Sequence, residues 1–190
     1  MSDTIPYSTS APAVPARYEK AKYEDVQENI RGMFEKMRET RKGMYIYGGA
    51  GTGKTHTAYA LYQNTFDKIG VYRRFWNVTE LLRDIRQDMD RDRYEKRRTE
   101  DDLMEFRGVL FLDDFGAEKM TDWVLETFYL IINKRYENML PTIFTSNFTI
   151  KELAERIGDR ITSRLVETCD IVPMEGADRR LSINLPHRQA

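Results

Sequence analysis

The chain has 190 residues, enough for one compact domain with a substantial core and little room for a second. Its 30 Lys plus Arg nearly cancel 31 Asp plus Glu, leaving a formal charge of −1, so any attraction to nucleic acid must come from a local patch. No uncharged apolar run approaches the roughly 18 to 20 residues of a membrane-spanning helix; with no secretory start and a single Cys169, these features predict a soluble, cytoplasmic protein without membrane attachment or internal disulfides.

Residues 1–17 carry Pro6, Pro12 and Pro15 among Ser, Thr and Ala. That composition cannot bury enough apolar surface to offset ordering, so it reads as a flexible tail ahead of a single domain over 18–190. From Asp25 onward Val26, Ile30, Met33, Phe34 and Met37 recur at helical spacing up to a break at Gly43, and "MYIY" follows as a strand. Past a glycine-rich loop, Ala58, Leu61, Tyr62 and Thr65 mark a second helix, and "VYRRFWNV" reads as a second strand. The third helix, "TELLRDIRQDM", has an apolar stripe of Val78, Leu81, Leu82, Ile85 and Met89 that stops where Asp92 and Lys96 would continue it. "DRDRYEKRRTEDD" is therefore predicted as a solvated extension or loop.

"VLFL" is continuously apolar, as a parallel strand covered on both faces tends to be. "DWVLETFYLIINKRYENM" is apolar nearly all round from Trp123 to Ile132, which predicts a helix buried between the sheet and other elements. "PTIFTSN" is a fourth strand, "IKELAERI" and "DRITSRLV" are short helices, and "CDIVPM" is a fifth strand. The alternation predicts an α/β fold of three layers, a five-stranded parallel sheet with helices on both faces.

Gly48, Gly53, Lys54 and Thr55 match G-x-x-x-x-G-K-[ST] between an apolar strand and a helix. Glycines there let main-chain N–H groups point at phosphates beside a helix N-terminus that favours anions. The candidate nucleotide-binding stretch is Gly48, Gly49, Ala50, Gly51, Thr52, Gly53, Lys54, Thr55 and His56. Lys54 is placed to meet the outer phosphates of ATP and Thr55 to ligate magnesium; His56 joins the stretch by position, with no chemistry of its own required.

Such a loop can serve binding alone, so hydrolysis needs a separate signal, and "VLFLDDFG" supplies one. Asp113, at the end of an apolar strand, is placed to hold Mg2+, and Asp114 to orient or deprotonate the attacking water. Paired Asp after a strand can also cap a helix or make a turn. Asn147 ends "PTIFTSN" at the carboxyl edge of a strand, where ligands of open parallel sheets bind. It could report the terminal phosphate or hold the water, and Asn is equally an ordinary turn residue.

Residues 43–180 resemble the AAA+ ATPase domain of bacterial replicative helicase loaders of the DnaC and DnaI type, which is similar to the ATPase of the IstB transposition helper. The resemblance rests on "YGGAGTGKTH", "LFLDDFGAEKMTDW", "INKRYENMLPTIFTSNF", "GDRITSRLVE" and "GADRR", in the family's order. It implies a P-loop NTPase of the AAA+/ASCE kind without a C-terminal helical lid, hydrolysing ATP to ADP and phosphate. It also implies that Arg164 is an arginine finger entering a neighbour's ATP site, and that Arg180 senses nucleotide in its own chain, with Arg179 one register away. For Arg164 a surface salt bridge, as for Arg160, is the alternative. One departure from the helicase loaders stands out: only a short tail and one helix precede the phosphate loop, where they carry a larger helicase-gripping region. The second acid is Asp where AAA+ proteins generally have Glu, which agrees with the resembling families and implies slow turnover.

The implied partners are single-stranded DNA, a replicative helicase and further copies of the chain in an ATP-dependent homo-oligomer. The local DNA candidate is the third helix and its extension, where Arg83, Arg86, Arg93 and Arg97 would share a face, with Tyr94 able to stack on a base. Asp84, Asp88, Asp90, Asp92 and Glu95 interleave with them, as on an ordinary solvated face. Trp76 and Phe75 could stack only if exposed. The expected function is a DNA-replication ATPase resembling a helicase loader; the alternatives are an IstB-like transposition helper and a nucleotide-gated interaction module with little turnover.

Overall fold

The computed structural model of the chain describes residues 14–89, 99–176 and 178. Two single turns, Ala16–Tyr18 and Tyr23–Asp25, lead into α1 (Glu28–Thr40), which buries Ile30, Phe34 and Met37 and closes at Arg41 in the left-handed conformation. Then come β1 (Gly43–Tyr47), α2 (Lys54–Ile69), β2 (Arg73–Asn77), α3 (Val78–Met89) and α4 (Thr99–Glu105). The second half runs β3 (Val109–Asp113), α5 (Asp122–Glu137), β4 (Thr142–Ser146), α6 (Ile150–Ile157), α7 (Asp159–Thr168) and β5 (Cys169–Pro173).

The five strands are parallel in the order β2-β3-β4-β1-β5. Side chains alternate across the sheet, so the strands feed two cores. Met44, Ile46, Val109, Phe111 and Ile143 face α1 and α2. Tyr45, Leu110, Leu112 and Phe144 face a second cluster with residues from α3, α4, α5, α6 and α7. This is the expected three-layer arrangement. It also explains why the strands read as unbroken apolar runs: both faces are covered. On the first face, Tyr59, Phe75 and Phe111 stack in sequence at 4.0 and 5.8 Å, which seats α2 against the β2-β3 edge.

Two expectations need correction. The segment "DRDRYEKRRTEDD" was expected to be solvated extension or loop, yet its end forms part of α4, because Leu103 is fully buried and anchors a helix whose other faces are acidic. Helix α5 is not covered all round: Leu130 is exposed, and Tyr129 and Tyr136 are half-buried, so one stripe faces outward. Residues 90–98, with Asp90, Asp92, Arg93, Tyr94, Glu95, Lys96 and Arg97, lie outside the described residues, as does the predicted tail up to residue 13. Among the described residues no helix is long and apolar enough to cross a membrane.

Candidate nucleotide site

Parallel strands deliver all their carboxyl ends to one edge, and the strand order decides what meets there. β1 leads into the glycine loop, β3 ends in Asp113, and β4 lies between them. Asn147 follows β4 directly and is exposed, so it leaves the sheet between the loop and the acids.

The loop is held tightly. Gly53 has φ 99, a left-handed conformation costly for any residue with a Cβ, and from it α2 starts at Lys54. A Cβ at Gly48 would run into the Met174 carbonyl oxygen after β5. Lys54 is buried, and its ammonium donates to the Gly48 and Gly49 carbonyls, both at 2.8 Å. Thr52 Oγ1 donates to Gly49 O at 2.9 Å. His56, the third residue of α2, is half-buried and has no hydrogen-bond partner among the described residues.

Thr55 Oγ1 lies 3.3 Å from Asp113 Oδ2 and donates to it. The other carboxylate oxygen, Oδ1, accepts from Thr145 Oγ1 at 2.5 Å, and that same hydroxyl accepts the Asp114 N–H at 3.0 Å. Burial pushes the Asp113 carboxyl up to about 6; the Thr145 hydrogen bond pulls the other way, and the charge of Asp114 adds to the rise. Asp114 has φ 60, a conformation that Asp tolerates better than most residues, and its carbonyl accepts from Ala117 N at 3.3 Å. The chain thus turns sharply after β3, with the second acid at the sheet edge.

A set of hydroxyl and carboxylate oxygens suits a hard divalent cation such as Mg2+, which keeps several waters and takes phosphate oxygens as ligands. Among the described residues no three His, Cys, Asp or Glu side chains form a metal cluster, so an ion at Thr55 and Asp113 would need the nucleotide's oxygens as well. Loop and acid pair therefore fit a magnesium nucleotide.

Three supporting residues escaped the sequence reading. Thr145 is one; its signal was a Thr at the end of a buried strand, beside the Asn that was singled out. Arg156 on α6 is another, donating to Gly116 O at 2.9 Å and Glu118 O at 3.1 Å, which ties down the turn after the acids. The third is Glu118 itself, four residues beyond Asp114. Its Oε1 accepts from Thr79 at 3.3 Å, its Oε2 is buried without a partner among the described residues, and burial raises its pKa.

Other predicted residues stand elsewhere. Arg164 lies on α7 against the outward stripe of α5, with Nε donating to Asn133 Oδ1 at 2.8 Å. Arg180 lies outside the described residues; Asp178, in the same "GADRR" stretch, lies against the loop, since a Cβ at Gly51 would overlap its carboxylate. Of the DNA candidates, Arg83 pairs with Asp84 at 3.4 Å and Arg86 covers the Trp123 ring at 4.7 Å. Phe75 is buried, and Trp76 is half-buried against the core.

A parallel five-stranded sheet with its nucleotide loop on β1, its acids on β3 and a polar strand end between them defines an AAA+ ATPase domain of the P-loop class. The chain belongs to the family of IstB-like ATP binding proteins, which matches residues 30–185. It is 29% identical over 162 residues to the uncharacterised protein YqaM of Bacillus subtilis (strain 168), covering 82% of this chain and 49% of YqaM. It is also 29% identical over 156 residues to the replicative helicase loader DnaI of the same strain, covering 73% of this chain and 48% of DnaI. A crystal structure of the DnaC helicase loader superposes with a TM-score of 0.75 at 26% identity, covering 84% of this chain and 99% of that one. The chain spans about half the length of the curated relatives YqaM and DnaI.

Proposed function

We propose that the chain binds and hydrolyses magnesium ATP and works as a DNA-associated assembly in replication, in the manner of a helicase loader. The observation that carries this reading is the approach of Thr55 Oγ1 to Asp113 Oδ2, 3.3 Å apart at the foot of the Lys54 loop. When bound, Mg2+ would neutralise charge on the phosphates.

The loop's main-chain N–H groups bind the phosphates. Lys54 exchanges the Gly48 and Gly49 carbonyls for phosphate oxygens. Thr55 and Asp113 hold the cation. Asp114, anchored through its N–H by Thr145, takes a proton from the attacking water, and Asn147 orients that water or the terminal phosphate. Arg164, held on α7 against α5, completes the site of a neighbouring copy, and Arg180 reads the nucleotide in its own chain. ATP binding then closes contacts between copies, and hydrolysis releases them. The partners on this reading are single-stranded DNA and a replicative helicase; for the helicase alone, the name of DnaI states as much of that protein.

The family match favours a second reading, an IstB-like transposition helper acting on duplex DNA. ATP turnover measured against protein concentration, with single-stranded DNA, duplex DNA or neither, separates the two. Cooperative turnover preferring single strands supports the helicase-loader reading, and a duplex preference moves the assignment to the transposition helper. Flat turnover indifferent to DNA overturns the assembly and leaves a nucleotide-gated interaction module.

A further inference from the structure

The outward stripe of α5 carries Tyr129, Asn133 and Tyr136, spaced to share one helix face, and α7 lays Arg160 and Arg164 across it. The Arg164 guanidinium carbon lies 5.2 Å from the Tyr129 ring centre and 5.4 Å from that of Tyr136. Its Nε donates to Asn133 Oδ1 at 2.8 Å and its Nη1 to the Arg160 carbonyl at 2.6 Å. Arg160 covers Tyr129 at 4.0 Å and donates to its hydroxyl at 2.5 Å, while the Tyr136 hydroxyl donates to Glu167 at 3.0 Å, so both rings are themselves held. Among the described residues nothing accepts from Nη2 of Arg164.

We infer that Tyr129, Tyr136 and Asn133 are positioning residues that fix the Arg164 guanidinium before a second copy of the chain arrives, leaving its Nη2 edge for that copy's nucleotide phosphate. The inference rests on the reading that Arg164 acts on a neighbour. A free arginine loses much of its rotamer freedom on docking. Two aromatic faces and two acceptors impose that loss in the isolated subunit, so assembly no longer bears it. A guanidinium suits this arrangement, because its charge can lie near aromatic rings while its several N–H donors remain available for hydrogen bonding. The same contacts give Tyr129 and Tyr136 partners on α7, although Tyr129 also packs against the core.

The test measures ATP turnover at saturating protein concentration for the Tyr129→Leu/Tyr136→Leu double variant, with and without Arg164→Ala. ADP affinity and thermal melting of each protein serve as checks on folding. The double variant is expected to lose about tenfold in turnover, about 1.4 kcal/mol. Tyr129→Phe/Tyr136→Phe, which keeps both rings, is expected to stay within about twofold of wild type. Asn133→Ala, which leaves both rings in place, is expected to lose roughly threefold and serves if the double variant does not fold. In the Arg164→Ala background neither change should cost anything further.

Wild-type turnover in the leucine variant, with Arg164→Ala still slow, overturns the positioning role and leaves the reading of Arg164 intact. A loss that persists undiminished in the Arg164→Ala background also overturns it, because the rings would then be acting on the fold. If Arg164→Ala matches wild type, the reading of Arg164 fails and takes the positioning role with it.

Discussion

Thr145 donates its hydroxyl hydrogen to Asp113 at 2.5 Å and receives the N–H of Asp114 on the same oxygen, so one side chain from β4 sets both acids at the end of β3. Thr145→Val keeps the shape and removes that oxygen, leaving a buried carboxylate oxygen and an N–H without partners. Turnover is expected to fall about 10- to 100-fold with nucleotide affinity little changed, the usual cost of losing a group that orients a metal ligand. Thr145→Ser should restore most of it. Steady-state kinetics with a nucleotide titration decide the point, and unchanged turnover in the valine variant would remove Thr145 from the site.

Burial raises the Asp113 carboxyl from 3.8 to about 6. Because the folded value is the higher one, the folded state binds the proton more readily. Its contribution to stability is complete below about pH 4 and is lost as the pH rises through 6. Asp113→Asn should therefore stabilise the nucleotide-free, magnesium-free protein at pH 8 by on the order of 3 kcal/mol, and by about 1 kcal/mol at pH 4.5. Urea unfolding at the two pH values checks it, and a gain independent of pH contradicts it. In the wild type, tightening of nucleotide binding by magnesium is expected to weaken as the pH falls through 6, since proton and metal compete for one carboxylate.

Arg135 is fully buried at the opposite end of the sheet and donates to Thr142 Oγ1 and to the carbonyls of Leu103, Phe106, Gly108 and Pro141, at 2.8 to 3.1 Å. It ties α4 and the approach to β3 onto α5 and β4. Arg135→Met leaves these acceptors unsatisfied and should cost about 3 to 5 kcal/mol. Arg135→Lys should recover little, because a single ammonium cannot reach all five. Urea unfolding, with hydrogen exchange in Thr99–Glu105 as a local probe, provides the measurement; a loss under about 1 kcal/mol would show that the clamp is dispensable.

The strands and the nucleotide loop were legible because their signals are local: apolar runs, a spaced glycine motif, acids directly after a strand. Elements that depend on a distant partner were not. Helix α4 hides in a run of charges because its buried residue, Leu103, gains meaning only when the core and Arg135 of α5 are placed against it. Arg135 in turn sits in "NKRYE", which reads as a solvated helix end. Thr145 looks like one more strand residue until β3 is placed beside β4. The apolar run of α5 from Trp123 to Ile132 does supply core through Val124, Phe128, Ile131 and Ile132, but it is not covered all round: Leu130 is exposed, and Tyr129, packed against that core, also lies under Arg160 from α7.

Mixing two inactive variants shows whether Arg164 of one copy completes the nucleotide site of another. Lys54→Ala keeps Arg164 but cannot hold the phosphates; Arg164→Ala binds nucleotide but lacks the arginine. Each alone is expected to be slow, and turnover is expected to return on mixing, with a maximum near equal amounts. If no ratio of the two folded proteins restores turnover, although the Arg164→Ala chain still binds ATP, the two residues do not act across a subunit boundary and the assembly mechanism is contradicted.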